Sequence, residues 1–117
     1  MLVVVSLHWM ASLQGLYWSL DWYDVMMHFL GGLWTAFFAL WAWNTPYALK
    51  CLPYFNKRNL LIFVFVVGFS WEAHEIVLGF TSHLDREYWP DTTQDFIFDM
   101  AGALVGAFIY RRSIPVK

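Results

Sequence analysis

Between Leu60 and Phe80 the chain is almost uninterruptedly apolar, yet its centre reads Trp71-Glu72-Ala73-His74-Glu75. A run of about twenty apolar residues is long enough to cross ~30 Å of hydrocarbon. Ionisable groups inside such a run are costly to bury and mark a functional site by default. Glu72 and Glu75, three residues apart, fall on one face of a helix. Any fold for this chain has to give these two carboxylates company.

Three more apolar segments supply it. They cover roughly residues 2–20, 22–43 and 93–110, and together with 60–80 they predict an all-α fold: an integral membrane four-helix bundle forming a single transmembrane domain over 1–117. Composition agrees. Hydrophobic residues make up 60% and charged residues 14% of the sequence, too little polarity to disperse a soluble domain of this size. Eight tryptophans suit a protein with two membrane–water interfaces. The first segment has no basic stretch before it and no small-residue cleavage site after it, so it reads as a helix rather than a leader peptide.

Breakers and caps separate the segments. Asn44-Thr45-Pro46 stops the second, Asn56 is a candidate N-cap for the third, and Asp91 with Gln94 resembles a capping box before the fourth. Asp21 reads as an interfacial cap. Lys50, Lys57 and Arg58 lie between the second and third segments, and Arg111, Arg112 and Lys117 follow the fourth. The positive-inside rule therefore places both regions, and both termini, in the cytoplasm of a multi-pass cell-membrane protein. Trp18, Trp22, Tyr88 and Trp89 would line the outer interface, and Trp41, Trp43, Tyr47, Tyr54 and Tyr110 the inner one.

With that topology the polar residues share a depth. Asp24 and His28 lie roughly 3 and 9 Å in from the outer start of the second helix. Glu75 and Glu72 lie roughly 7 and 12 Å in from the outer end of the third. Asp95 and Asp99 lie roughly 4 and 10 Å in from the outer start of the fourth. Each set continues along one helix face: Asp24, His28, Gly31 or Gly32, Thr35; then Gly68, Glu72, Glu75, Gly79; then Asp91, Asp95, Asp99, Gly102, Gly106. Small residues at this spacing let helices pack closely in lipid. The first helix joins more weakly through His8, Ser12 and Gly15.

Unpaired, such carboxylates would take up protons; a divalent metal ion satisfies them directly. Carboxylates and a histidine projecting inward from facing helices are the pattern of helix-bundle metal sites, although Glu-x-x-Glu replaces the Glu-x-x-His of di-iron bundles. The candidate metal ligands are Asp24, His28, Glu72, Glu75, Asp95 and Asp99, and oxygen-rich ligation with one imidazole suits Mg, Mn, Fe or Zn. Glu72 or Glu75 is the candidate general base of a metal-dependent hydrolase acting on a lipid or lipid-linked substrate. Two other readings of the cluster stand beside it: a proton-sharing carboxylate network, and separate structural roles. At the level of the protein the alternatives are a non-catalytic subunit of a larger membrane complex and a proton- or ion-handling protein. The simplest reading of Asp91 is an N-cap. His74, about 160° from Glu72 around the helix, reads as facing a neighbour or headgroups. His8 reads as an interhelical histidine and His83 as a solvated loop residue. Arg86 is the single fixed cation of the outer loop. Cys51 alone excludes an intrachain disulfide and a Cys-based zinc site; its second reading is as a palmitoylation site near the interface. No basic patch interleaves with aromatics, which excludes a nucleic-acid surface. The expected partners are membrane lipids, a lipid-like substrate or a membrane protein, including a second copy of the chain.

Three motifs, Asp24-x-x-x-His28-Phe29-x-x-Gly32, Glu72-x-x-Glu75 and Asp91-Thr92-x-x-Asp95 followed by Gly102, resemble in order those of the YjdF-type small inner-membrane proteins. More distantly they resemble VanZ-like proteins, which are associated with glycopeptide resistance. The resemblance covers roughly residues 22–108 and implies a helical membrane fold without implying a chemistry. Asp99 lies outside the shared motifs. The family's usual members are longer, with further helices before this core.

Overall fold

The structure, a computed structural model, describes residues 2–46, 48, 56–79 and 88–113. Cys51, Tyr54, His83 and Arg86 lie outside the described residues, as do Lys50, Tyr47 and Lys117. The described chain is helical, with no strand among the described residues. Helix α1 spans Leu2–Gln14, α2 Leu16–Ser19, α3 Asp21–Trp43, α4 Lys57–Leu78 and α5 Tyr88–Ser113.

Two boundaries depart from expectation. The first apolar segment is not one rod over 2–20: it breaks at Gly15, whose φ of 65° is the left-handed conformation that terminates a helix. The resulting α1 is about 20 Å long, short of a full hydrocarbon crossing. The last helix begins at Tyr88 rather than near residue 93. Asp91 is thus an exposed residue of its first turn, where its charge favours the helix dipole, and not the cap. Asn56 does cap α4, its side chain accepting the Asn59 N–H at 3.1 Å. Gly79, expected on the polar face of that helix, instead ends it in a left-handed C-cap with φ 74°.

Helices α3 and α5 form the closest pair. They run parallel, since Asp24 and His28 lie beside Asp95 and Asp99 while Asn44 at the far end donates to Tyr110 Oη at 3.0 Å. The pair is built on glycine. A Cβ on Gly32 would fall onto the carbonyl of Asp99, one on Gly102 onto the carbonyl of Phe29, and one on Gly106 would approach the Leu33 carbonyl to 2.7 Å. The backbones touch, as small residues allow in helix pairs without long side chains between them. Helix α4 runs antiparallel to both and buries one narrow stripe, Leu60, Val64, Gly68 and Glu72, each one turn from the next. Leu60 and Val64 meet Ala36 and Ala103 in the apolar core below the polar residues. On the other side, α1 packs Ala11 against Tyr23 and Met27 of α3, and Tyr23 Oη donates to the Leu7 carbonyl at 3.0 Å.

The outer surface stays apolar. Phe69 of α4 is 61% exposed and Val77 82% exposed; Trp9, Leu13, Ile97 and Phe108 are exposed as well. Two helices, Trp22–Trp43 within α3 and Lys57–Leu78, are long and apolar enough to cross a membrane. Helix α5 has the length, but its acidic residues lower its hydropathy; two of them, Asp95 and Asp99, are buried inside the bundle.

Candidate metal centre

Asp24 and His28 are one turn apart on α3 and face the interior because the next turns of the same face carry the glycine that packs on α5. His28 is the hub. Its Nε2 lies 3.8 Å from Asp24 Oδ1, 3.8 Å from Glu72 Oε1 and 3.9 Å from Asp95 Oδ2, so α3, α4 and α5 each direct a carboxylate oxygen at one imidazole nitrogen. On the opposite side of the ring, Nδ1 meets Asp99 Oδ2 at 3.4 Å. His28, Glu72, Asp95 and Asp99 are all buried, at 6%, 5%, 3% and 5% exposure, while Asp24 is half-buried.

Two oxygens in this group have no hydrogen-bond partner: Glu72 Oε1 and Asp95 Oδ1. The other Glu72 oxygen, Oε2, accepts from the Thr92 hydroxyl at 2.9 Å, which aims Oε1 at His28. A buried carboxylate oxygen without a donor costs several kcal/mol or takes up a proton, so each such atom calls for an explanation. A cation beside His28 Nε2 would satisfy Glu72 Oε1, whereas Asp95 turns its other oxygen, Oδ2, to that nitrogen. Metal–oxygen and metal–nitrogen bonds of about 2.0–2.2 Å place atoms sharing one ion at most about 4.4 Å apart, so the 3.8–3.9 Å separations fit a common ion. One ligand atom each from Asp24, His28 and Asp95 lies within 4.8 Å of the others. Glu72 lies outside that set, although its Oε1 also approaches His28 Nε2 to 3.8 Å. The Asp99–His28 contact gives a carboxylate–histidine arrangement in which the far ring nitrogen is held by an acid, fixing the ring's orientation.

Of the six residues expected as ligands, five therefore converge. Asp24, His28 and Asp95 bring one ligand atom each to a common point, Glu72 approaches the same His28 nitrogen, and Asp99 meets the ring's other nitrogen. Glu75 stands apart: it is half-buried and its Oε1 accepts from the Trp71 indole N–H at 2.9 Å. It lies on the rim, one turn outward from Glu72. His74 is exposed beside the Trp71 ring, 5.7 Å between centroids, and takes no part in the centre. His8 is an interhelical histidine, bonded through Nδ1 to Tyr17 Oη at 2.7 Å and edge-on to Trp71 at 5.0 Å.

On the buried face of α5 the structure places Thr92, where spacing from Asp95 and Asp99 alone points to Asp91. The signal was present: 92, 95 and 99 step by three and four, and the structure shows that this is the buried face. Gly68 does more than allow close packing: a Cβ there would fall onto Asp99 Oδ2, so its missing side chain makes the space in which that carboxylate sits.

No family model, curated protein or solved structure matches this chain.

Proposed function

We propose that this is a multi-pass membrane protein holding a divalent metal ion at the Asp24, His28, Glu72 and Asp95 cluster, and that the centre hydrolyses a lipid or lipid-linked substrate near the outer face. One observation carries the metal reading: three helices direct carboxylate oxygens at one imidazole nitrogen, and one of these oxygens, Glu72 Oε1, is buried without any donor. Mostly oxygen ligation with a single imidazole suits Mg, Mn, Fe or Zn.

Four features support membrane residence. The helices bury a narrow polar and glycine-rich interior while their outward faces stay apolar, the reverse of a soluble bundle. The long dimension of 46 Å is close to the full thickness of a bilayer with its headgroups. Trp22 and Trp89, both exposed, stand at one end, and exposed Trp41 near the other. Lys57, Arg58, Arg111 and Arg112 all lie at the end away from the acids, which supports reading that end as the cytoplasmic one. The YjdF-type kinship rests on the three shared motifs and is part of the same proposal.

The bound metal would supply a polarised carbonyl or phosphoryl oxygen or an activated water. The chain's own residues have separable tasks. Thr92 orients Glu72, Asp99 holds the His28 ring, and Glu75, outside the ligand group and steadied by the Trp71 indole, accepts the proton from the attacking water. Elemental analysis of purified protein beside Glu72→Ala and His28→Ala tests the reading. Stoichiometric metal in the wild type and loss in both variants is expected; equal content, or none, in all three ends it in favour of a metal-free histidine–carboxylate network or a purely structural subunit.

A further inference from the structure

Beside the metal centre lies a cavity of about 320 Å³, partly open, enclosed by α1, α3 and α4. Apart from Thr35 at the far end, its polar residues gather at one end, where Asp24, His28 and Asp99 line it together with the hydrogen-bonded His8–Tyr17 pair. From there it runs inward between Val4 and Val5 of α1, Met27 and Trp34 of α3, and Val64 and Val67 of α4. Along α3 it extends from Asp24 to Thr35, about 16 Å at the helical rise. That is about half of the ~30 Å hydrocarbon core, the depth that one leaflet's chains occupy. Gly31 lines this space: a Cβ built on it meets nothing closer than Asp99 Oδ1 at 4.0 Å, in contrast to Gly32, which is pressed against α5. A slot of this size with apolar walls and a few convergent polar groups at one end is the usual form of a small-ligand site.

We propose that this cavity binds one acyl chain of a membrane phospholipid, with the chain directed inward past Gly31 and Trp34 and the linkage to its headgroup held against Asp24 and His28. The inference rests on the membrane and metal-centre reading and adds the part of the substrate that is recognised. The polar end lies in the outer layer, so a lipid of the outer leaflet enters headgroup outward without inverting. The chain replaces the apolar contacts that the slot lacks, and the linkage it carries is delivered to the one place where buried ligands converge.

The test uses the full chain in phosphatidylglycerol vesicles containing a phosphatidylglycerol with a photoreactive diazirine midway along one acyl chain. Adducts are mapped by mass spectrometry, and manganese content is measured on the same samples. Met27 and Val64 are buried and line the cavity, whereas Ile97 and Phe108 are exposed on the outside. The expected result is labelling of Met27 and Val64 in the wild type, lost in Gly31→Leu with labelling of Ile97 and Phe108 unchanged. Val67→Trp fills the same slot from α4 and serves if Gly31→Leu does not fold. Absence of adducts on Met27 and Val64 in the wild type, or their persistence in both filled variants, overturns the chain site. Cavity adducts in protein that binds no manganese leave the chain site standing and remove the metal reading; bound manganese without cavity adducts does the reverse.

Discussion

His28 shows how one side chain can be asked to satisfy four acids. Its two nitrogens are unequal: Nε2 faces Asp24, Glu72 and Asp95, and Nδ1 faces Asp99 alone. Loss of a ligand and loss of its support should therefore differ. Asp95→Ala removes a proposed ligand and should abolish stoichiometric metal, while Asp99→Asn, which keeps the shape and can still hydrogen-bond, should weaken metal affinity by about 10–100-fold; isothermal titration with manganese distinguishes the two. Equal losses would mean that Asp99 is itself a ligand. Because carboxylates and imidazole must shed protons to bind a cation, affinity should rise with pH and binding should release protons into an unbuffered solution. Thr92→Val deprives Glu72 Oε2 of its donor and should lower stability by about 1–3 kcal/mol in detergent melts, with Thr92→Ser restoring it.

At the level of helices, adjacent glycines have opposite duties. Gly32 touches the Asp99 backbone, so any side chain there must push α3 and α5 apart; Gly31 looks into the cavity. Gly32→Ala should lower the melting temperature of the detergent-solubilised protein, since overpacking of this kind costs about 1–3 kcal/mol. Gly31→Ala should be neutral or stabilising by up to about 1 kcal/mol, because alanine favours the helix. A melting curve for each variant checks the pair, and similar losses in both would contradict the close approach. The same contact explains why α5 can carry Asp95 and Asp99 and still pack: the backbone contact at Gly102 and Gly106 places these carboxylates against α3 rather than outward.

For the molecule as a whole, orientation is the open quantity that chemistry can read. Cys51 is the single cysteine and lies in the chain between α3 and α4, beside Lys50, Lys57 and Arg58. If that connection is cytoplasmic, a membrane-impermeant maleimide should leave Cys51 unmodified in intact cells and label it in inverted vesicles; labelling from outside would reverse the assignment and put the acids in the inner layer. Membrane residence itself is checked by an alkaline carbonate wash, which should leave the protein in the pellet. The length of α1, about 20 Å, is too short to span alone, and its contacts with Tyr23 and Met27 hold it on α3.

The helical class, the N-cap at Asn56 and the group of acids around His28 were legible in residue spacing, because a 3.6-residue period assigns each side chain to a face before any neighbour is known. Glycines at 32, 102 and 106 were likewise readable as packing positions. The break at Gly15 was not, because glycine is tolerated within a helix and only the fold of α1 back onto α3 shows which use is made of it. Nor could spacing divide the acids between ligand, support and rim. Asp95 and Asp99 share a face of α5, and Glu72 and Glu75 share one of α4; how each member of these pairs meets His28 depends on how far the neighbouring helix slides along its axis. Faces are a property of the chain, whereas distances between faces belong to the packing of α3, α4 and α5, and that is set by where the backbones touch.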